Sequence, residues 1–151
     1  MKRHQLTEAE TEILLTEASV GRIATNYENG YPYVVPVHFV YLEKKIYVHG
    51  LIKGQKISNI LSDPKVGFEV DEMGDLTFGD NPCDTNTIFK SVIILGDAVL
   101  VNDVDVKIKA LRAIVQKYTP QLSDQEFPEK MIKATGIIEI SIKEVTGKYY
   151  K

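Results

Sequence analysis

Pro32-Tyr33-Val34-Val35-Pro36-Val37-His38-Phe39-Val40-Tyr41 is the stretch on which the fold turns. It is dense in β-branched and aromatic residues, which suit a pleated, half-buried surface. Alternation places Tyr33, Val35, Val37, Phe39 and Tyr41 on one face and Val34, Pro36, His38 and Val40 on the other. Pro36 interrupts the run. Proline cannot donate to a β-ladder, so this strand belongs at a sheet edge or a local opening. Such an opening leaves backbone groups free to bond a flat heterocycle, and a plain edge strand with no ligand is the other reading.

Both flanks point to antiparallel pairing. Upstream, Glu28-Asn29-Gly30 is a hairpin turn that joins a strand at Arg22-Ile23-Ala24-Thr25. Downstream, Glu43-Lys44-Lys45 turns the chain into Ile46-Tyr47-Val48-His49. Further out, Thr7 and Glu10 stand at capping-box spacing and predict a helix over 7–18. A helix over 54–62 ends at Asp63-Pro64, and Val66, Phe68 and Val70 alternate as a half-buried strand. Residues 71–86, with Gly74, Gly79, Asn81 and Pro82, read as one long loop. A strand from Ile88 to Val101 is expected to bend or bulge at Gly96-Asp97. Asp103 caps a helix over 104–118 whose apolar stripe is Val104, Ile108, Leu111, Val115 and Tyr118. A weaker helix falls near Glu129-Lys130-Met131-Ile132, and a last strand spans Ile137–Ile142 with Ile138, Ile140 and Ile142 inward. Six strands joined mainly by hairpins give a mainly β (α+β) class, a six-stranded antiparallel barrel with flanking helices in one domain over 1–151.

Composition narrows the function. A net charge of −3 with scattered Lys and Arg gives no electrostatic footprint for nucleic acid. The N-terminal residues lack the apolar run of a signal peptide, and no stretch approaches a membrane span. With one cysteine, Cys83, an intrachain disulfide is impossible, which is compatible with a reducing cytoplasm. There is no Gly-rich phosphate loop, no Gly-x-Ser-x-Gly elbow, and His4, His38 and His49 lack zinc spacing.

The remaining chemistry concentrates in residues 22–56. His49 ends a strand, and Lys53 and Lys56 bracket a helix start at Gly54. A helix N-terminus with two ammonium groups alongside suits a phosphate, although a solvated lysine pair would look the same. Lys90 and Ser91 interrupt an apolar strand; Lys90 either faces solvent or meets an anion.

Gly21-Arg22-Ile23-Ala24-Thr25, Asn29 to Val40, Ile46-Tyr47-Val48-His49-Gly50, Gly54-Gln55-Lys56, Pro64 to Val70, Pro82-Cys83-Asp84 and Glu144 to Lys148 follow in an order that resembles one family. It is the nitroimidazole-reductase-like branch of the pyridoxamine-phosphate-oxidase superfamily. The resemblance implies a split barrel whose homodimer holds FMN at the subunit interface. It puts the flavin ring against Val35, Pro36, Val37 and His38, and the phosphate at His49, Gly50 and Lys53 or Lys56. Arg22 would face the ribityl chain or phosphate, and Lys90 and Ser91 of the other subunit would close the site. The chain departs from the family in carrying Asp84-Thr85-Asn86-Thr87 where an aromatic residue often follows Pro-Cys-Asp. Its C-terminus, Lys148-Tyr149-Tyr150-Lys151, lacks the arginine-bearing tail of true pyridoxamine-phosphate oxidases, which argues against vitamin B6 oxidation.

The implied activity is an FMN-dependent oxidoreductase that passes electrons from NADH or NADPH to a small planar acceptor, a nitro compound or quinone. His49 is the catalytic candidate, since its ordinary pKa lies near operating pH. A non-catalytic module holding flavin or haem is the alternative. Nucleic acid and membrane are not expected partners.

Overall fold

The computed structural model describes residues 4–151. Thr7 and Glu10 form the expected capping box, and helix α1 (Glu8–Glu17) follows. Strands β1 (Gly21–Asn26) and β2 (Pro32–Val37) form a hairpin whose turn places Gly30 at φ 85°, in the left-handed region. Strands β3 (Phe39–Leu42) and β4 (Lys45–Leu51) form a second hairpin through Glu43 and Lys44. Helix α2 (Gln55–Ser62), β5 (Lys65–Thr77), β6 (Asn86–Leu100), α3 (Val104–Tyr118), α4 (Glu129–Ala134) and β7 (Thr135–Tyr150) complete the chain.

All strand pairings are antiparallel, in the order β2-β1-β5-β6-β7-β4-β3. The strand count is seven rather than six, because the Pro32–Tyr41 run is divided at His38. Its first half pairs with β1 at one sheet edge, and its second half pairs with β4 at the other. Those two edges are consecutive in the chain, so the sheet must curl until they meet at His38. The result is a split barrel. Pro36 lies on the edge strand β2 opposite Arg22, where its missing N–H costs no ladder bond with a further strand.

The seam is tied by Tyr118 from the last turn of α3. Its hydroxyl accepts from the Phe39 N–H at 3.0 Å and lies 2.9 Å and 3.1 Å from the carbonyl oxygens of Ser19 and Phe39. Phe39 then packs edge-on against Phe68 (4.9 Å between centroids) inside the barrel. Ile23, Ile46, Val48, Val70, Val92, Ile94 and Ile140 complete that core, and Leu14, Leu15, Ile57 and Ile60 close it from α1 and α2. A second apolar layer lies outside, where α3 covers Val40, Tyr47 and Ile137. The buried face of α3 is Ala110, Leu111 and Ile114, whereas Val104 is 55% exposed; the predicted stripe is rotated.

Two strands run past their predicted ends. β5 continues to Thr77, so only 78–85 is loop, with a 3₁₀ turn at Pro82–Asp84. Residues 71–77 run alongside β6 but are all exposed, so they show no buried alternation to mark them as strand. β7 continues to Tyr150. The register shifts between Leu95 and Gly96, which pair with Glu144 and Ile142, so the extra residue is Lys143 on β7 rather than one of β6, where the bulge is expected. Ile140 is buried before the bulge and Gly147 beyond it, while Val145 is 51% exposed, and this change of phase hides the strand. At the bulge a Cβ on Gly96 would stand 2.5 Å from the Ser141 carbonyl oxygen, so only glycine fits.

Tyr118→Phe removes the oxygen that satisfies the Phe39 N–H. The variant is expected to lose about 1–3 kcal/mol in urea unfolding. No change in the unfolding midpoint would contradict the seam's dependence on this hydroxyl.

Candidate functional site

The site is built where β4 leaves the barrel beside the seam. Thr25 on β1 is buried and accepts from the Asn59 amide at 2.9 Å, and Asn59 in turn accepts from Gln55 at 2.7 Å. This chain of bonds fixes α2 against β1. Helix α2 begins at Gly54, whose φ of 133° is open to glycine and strained for other residues. The result directs Lys56 back over the end of β4, where its Nζ lies 3.8 Å from the point a Cβ on Gly50 would occupy.

His49 and His38 come together by register. Phe39 pairs with Val48, so His38 stands next to His49 on the outer face of the barrel. Their rings stack with centroids 6.1 Å apart, and Tyr118 stacks on His38 at 4.3 Å. The His49 Nδ1 is buried with no hydrogen-bond partner. Burial, His38 and Lys56 all hold the His49 imidazole below its ordinary pKa, and burial lowers that of Lys56.

Of the sequence-predicted residues, the structure gathers His38, His49, Gly50 and Lys56, with Pro36 on the adjoining edge strand. Val35 and Val37 turn their side chains into the barrel core, leaving only their backbone toward the outer edge. Lys53 is exposed on the turn before α2. Arg22 lies on the outer face opposite Pro36, but its guanidinium is engaged by Glu69 at 2.9 Å and by Asp71, which raise its pKa. Lys90 and Ser91 are not part of this cluster within one chain. The Val101 N–H bonds the carbonyl of Ile137, the residue opposite His49. Ser91 lies ten positions before Val101, roughly 33 Å along the strand at ~3.3 Å per residue. Lys90 pairs with Glu72 at 3.6 Å.

Sequence reasoning missed Lys117. Its Nζ is buried without a hydrogen-bond partner, 3.9 Å from the Phe39 ring centroid. Burial depresses its pKa from 10.5 to about 8. The signal was present, since Lys117 follows Ile114 by three residues and so shares the buried face of α3.

The site is thus a basic cluster flanked by the Tyr118 ring and an unpaired strand edge. Among the described residues, no carboxylate hydrogen-bonds or ion-pairs with His38, His49, Lys56 or Lys117. A cavity of about 500 Å³ lies elsewhere, between α1 and β7, lined by Leu6, Thr11, Leu15, Tyr41 and Ile142. No described helix is long and apolar enough to cross a membrane.

Residues 7–149 match the profile of the pyridoxamine 5'-phosphate oxidase family. The chain belongs to that family. Three solved structures share the fold of this pyridoxamine 5'-phosphate oxidase family member. A candidate 5-nitroimidazole antibiotic resistance protein from Bacteroides thetaiotaomicron superposes with TM-score 0.83 at 22% identity, covering 95% of this chain and 84% of that one. The FAD and heme binding protein from Mycobacterium smegmatis gives 0.90 at 14%, covering 99% and 74%. An FAD-binding protein from Mesorhizobium loti gives 0.72 at 24%, covering all of both chains. No curated protein matches the chain.

Lys117→Met is expected to keep the packing and remove a buried, unpaired ammonium. Below pH about 8 the folded and unfolded lysines are both charged, so the burial penalty is fully present; it falls away between about 8 and 10.5. The stability gap in favour of Lys117→Met should therefore be largest below pH 8 and close toward pH 10.5 in parallel denaturant titrations. A gap independent of pH would contradict a buried charge at this position.

Proposed function

We propose that the chain binds FMN in the His38–His49–Lys56 groove and, as a homodimer, reduces a small planar acceptor with electrons from NADH or NADPH. The observation that carries this reading is the carboxylate-free basic cluster beside an unpaired, proline-bearing strand edge. The His49 ring and a half-buried Lys56 fit an anion, and a flat edge with exposed Pro36 and Val34 fits a ring. The neighbours described as FAD-binding, and as FAD- and heme-binding, place flavins on this fold in other proteins.

Lys56 and His49 would hold the phosphate, with Gly50 allowing close approach because it carries no side chain. The backbone of Val35, Pro36 and Val37 would line the ring. When bound, the flavin supplies the acceptance and return of hydride. The fixed dipoles of the β2 edge would face negative charge on the ring, and such preorganised dipoles act without reorganising. His49 is held neutral by its surroundings in the ligand-free chain; in the loaded protein it would bond the acceptor or move a proton to it. Lys90 and Ser91 would have to come from a second copy. The exposed Val34, Ile93 and Leu95 on the outer sheet face support such a contact. With a lone cysteine, Cys83, the reading places the protein in the cytoplasm.

A second reading, a non-catalytic flavin- or haem-binding module, draws on the Mycobacterium smegmatis neighbour, which is described by binding alone. Turnover separates the two. The oxidoreductase reading expects flavin-loaded protein to oxidise NADH or NADPH faster with a nitroimidazole or quinone present than without. Equal rates would leave the module. Lys56→Ala should weaken FMN binding about tenfold to 100-fold, the range of a lost charge-assisted bond, read by quenching of flavin fluorescence. Unchanged affinity would remove Lys56 from the site.

A further inference from the structure

We propose that the cluster couples capture of a phosphate dianion to protonation: the bound phosphomonoester draws a proton onto His49. This rests on the flavin-phosphate reading above and adds a regulation to the same site, namely affinity set by pH.

His38 faces the His49 imidazole from the junction of β2 and β3, with rings 6.1 Å apart. Lys56 approaches from α2 over Gly50. The last turn of α3 contributes Tyr118, stacked on His38, and the ammonium of Lys117 beyond it. From β7 the nearest carboxylate is Glu139, and it is already committed to Lys45 at 2.7 Å and the Tyr47 hydroxyl at 2.9 Å. Among the described residues, none of these groups gives His49 a counter-charge.

In that setting the imidazole is neutral. Its Nδ1 is buried without a partner, and burial, His38 and Lys56 each oppose a second charge. A dianion seated by Lys56 reverses the balance: one negative charge offsets the ammonium and the other remains to favour the imidazolium. The buried Nδ1 does not reach the anion, so the dianion favours the imidazolium through its charge on the ring as a whole. The free site holds the pKa below 6.5 and the dianion raises it, so between those two values binding takes up a proton. Affinity then falls as pH rises through the pKa of the bound state. The phosphate's own second ionisation lies near ~6, so the effect is read above that point.

The test is isothermal titration calorimetry of the flavin-free chain with FMN at pH 7.0, in phosphate-free buffers of differing ionisation enthalpy. The expected result is uptake of about half a proton or more per FMN, none with riboflavin, and none for FMN with His49→Gln. Between pH 6.5 and 8.0 the wild-type Kd should rise about threefold to tenfold, and that of His49→Gln should stay flat. The chain has three histidines, so proton NMR of the ring Cε1–H signals also follows His49 without any variant. Its midpoint should move up when FMN is added. FMN binding without proton uptake, uptake that survives His49→Gln, or an unmoved His49 midpoint would overturn the coupling and leave the flavin reading standing. Failure to bind FMN at all would overturn both.

Discussion

The structure depends on one crossing: a single extended run that must pair with β1 at its start and with β4 at its end. No flat sheet can satisfy both demands, because those partners stand at opposite edges of the strand order. Closure into a barrel is the only geometry that leaves residues 32–42 continuous. The break falls at His38, one residue after the strand in which Pro36 has no N–H to give. Tyr118 completes the closure by supplying hydrogen bonds to Phe39, at the point where the ladder changes partners.

The same crossing makes the site. Dividing the run exposes the β2 edge, and the register of β3 on β4 sets His38 beside His49. Asn59 and Gln55 lock α2 to Thr25, so Lys56 meets the end of β4 as a consequence of packing rather than of loop placement. Basic groups brought together without carboxylates are unfavourable to one another. Holding them half-buried is what the proposed anion site requires.

Much of this was legible in the sequence. The Thr7–Glu10 box, the Asp103 cap and the Asn29-Gly30 turn are local signals with local causes, and each stands where its residues place it. The resemblance carried by the Gly21–Gly50 and Gly54–Lys56 segments led to the family. What was hidden has physical reasons. The far half of β7 changes phase at Lys143, and residues 71–77 of β5 bury nothing, so neither shows a period of two. A lysine on a helix reads as solvated, and only the spacing of Lys117 from Ile114 signals the buried face. The pairing of Arg22 with Glu69 and Asp71 is a fact of tertiary register that no linear motif displays.

The central claim is that the groove beside the seam, and not the α1–β7 cavity, receives the phosphate of a flavin. The most direct measurement is a crystal structure of the chain grown with FMN. It should show phosphate density within hydrogen-bond distance of the Lys56 Nζ, and the ring lying along Pro36. Flavin density among Leu6, Leu15, Tyr41 and Ile142, or a phosphate far from Lys56, would contradict the account.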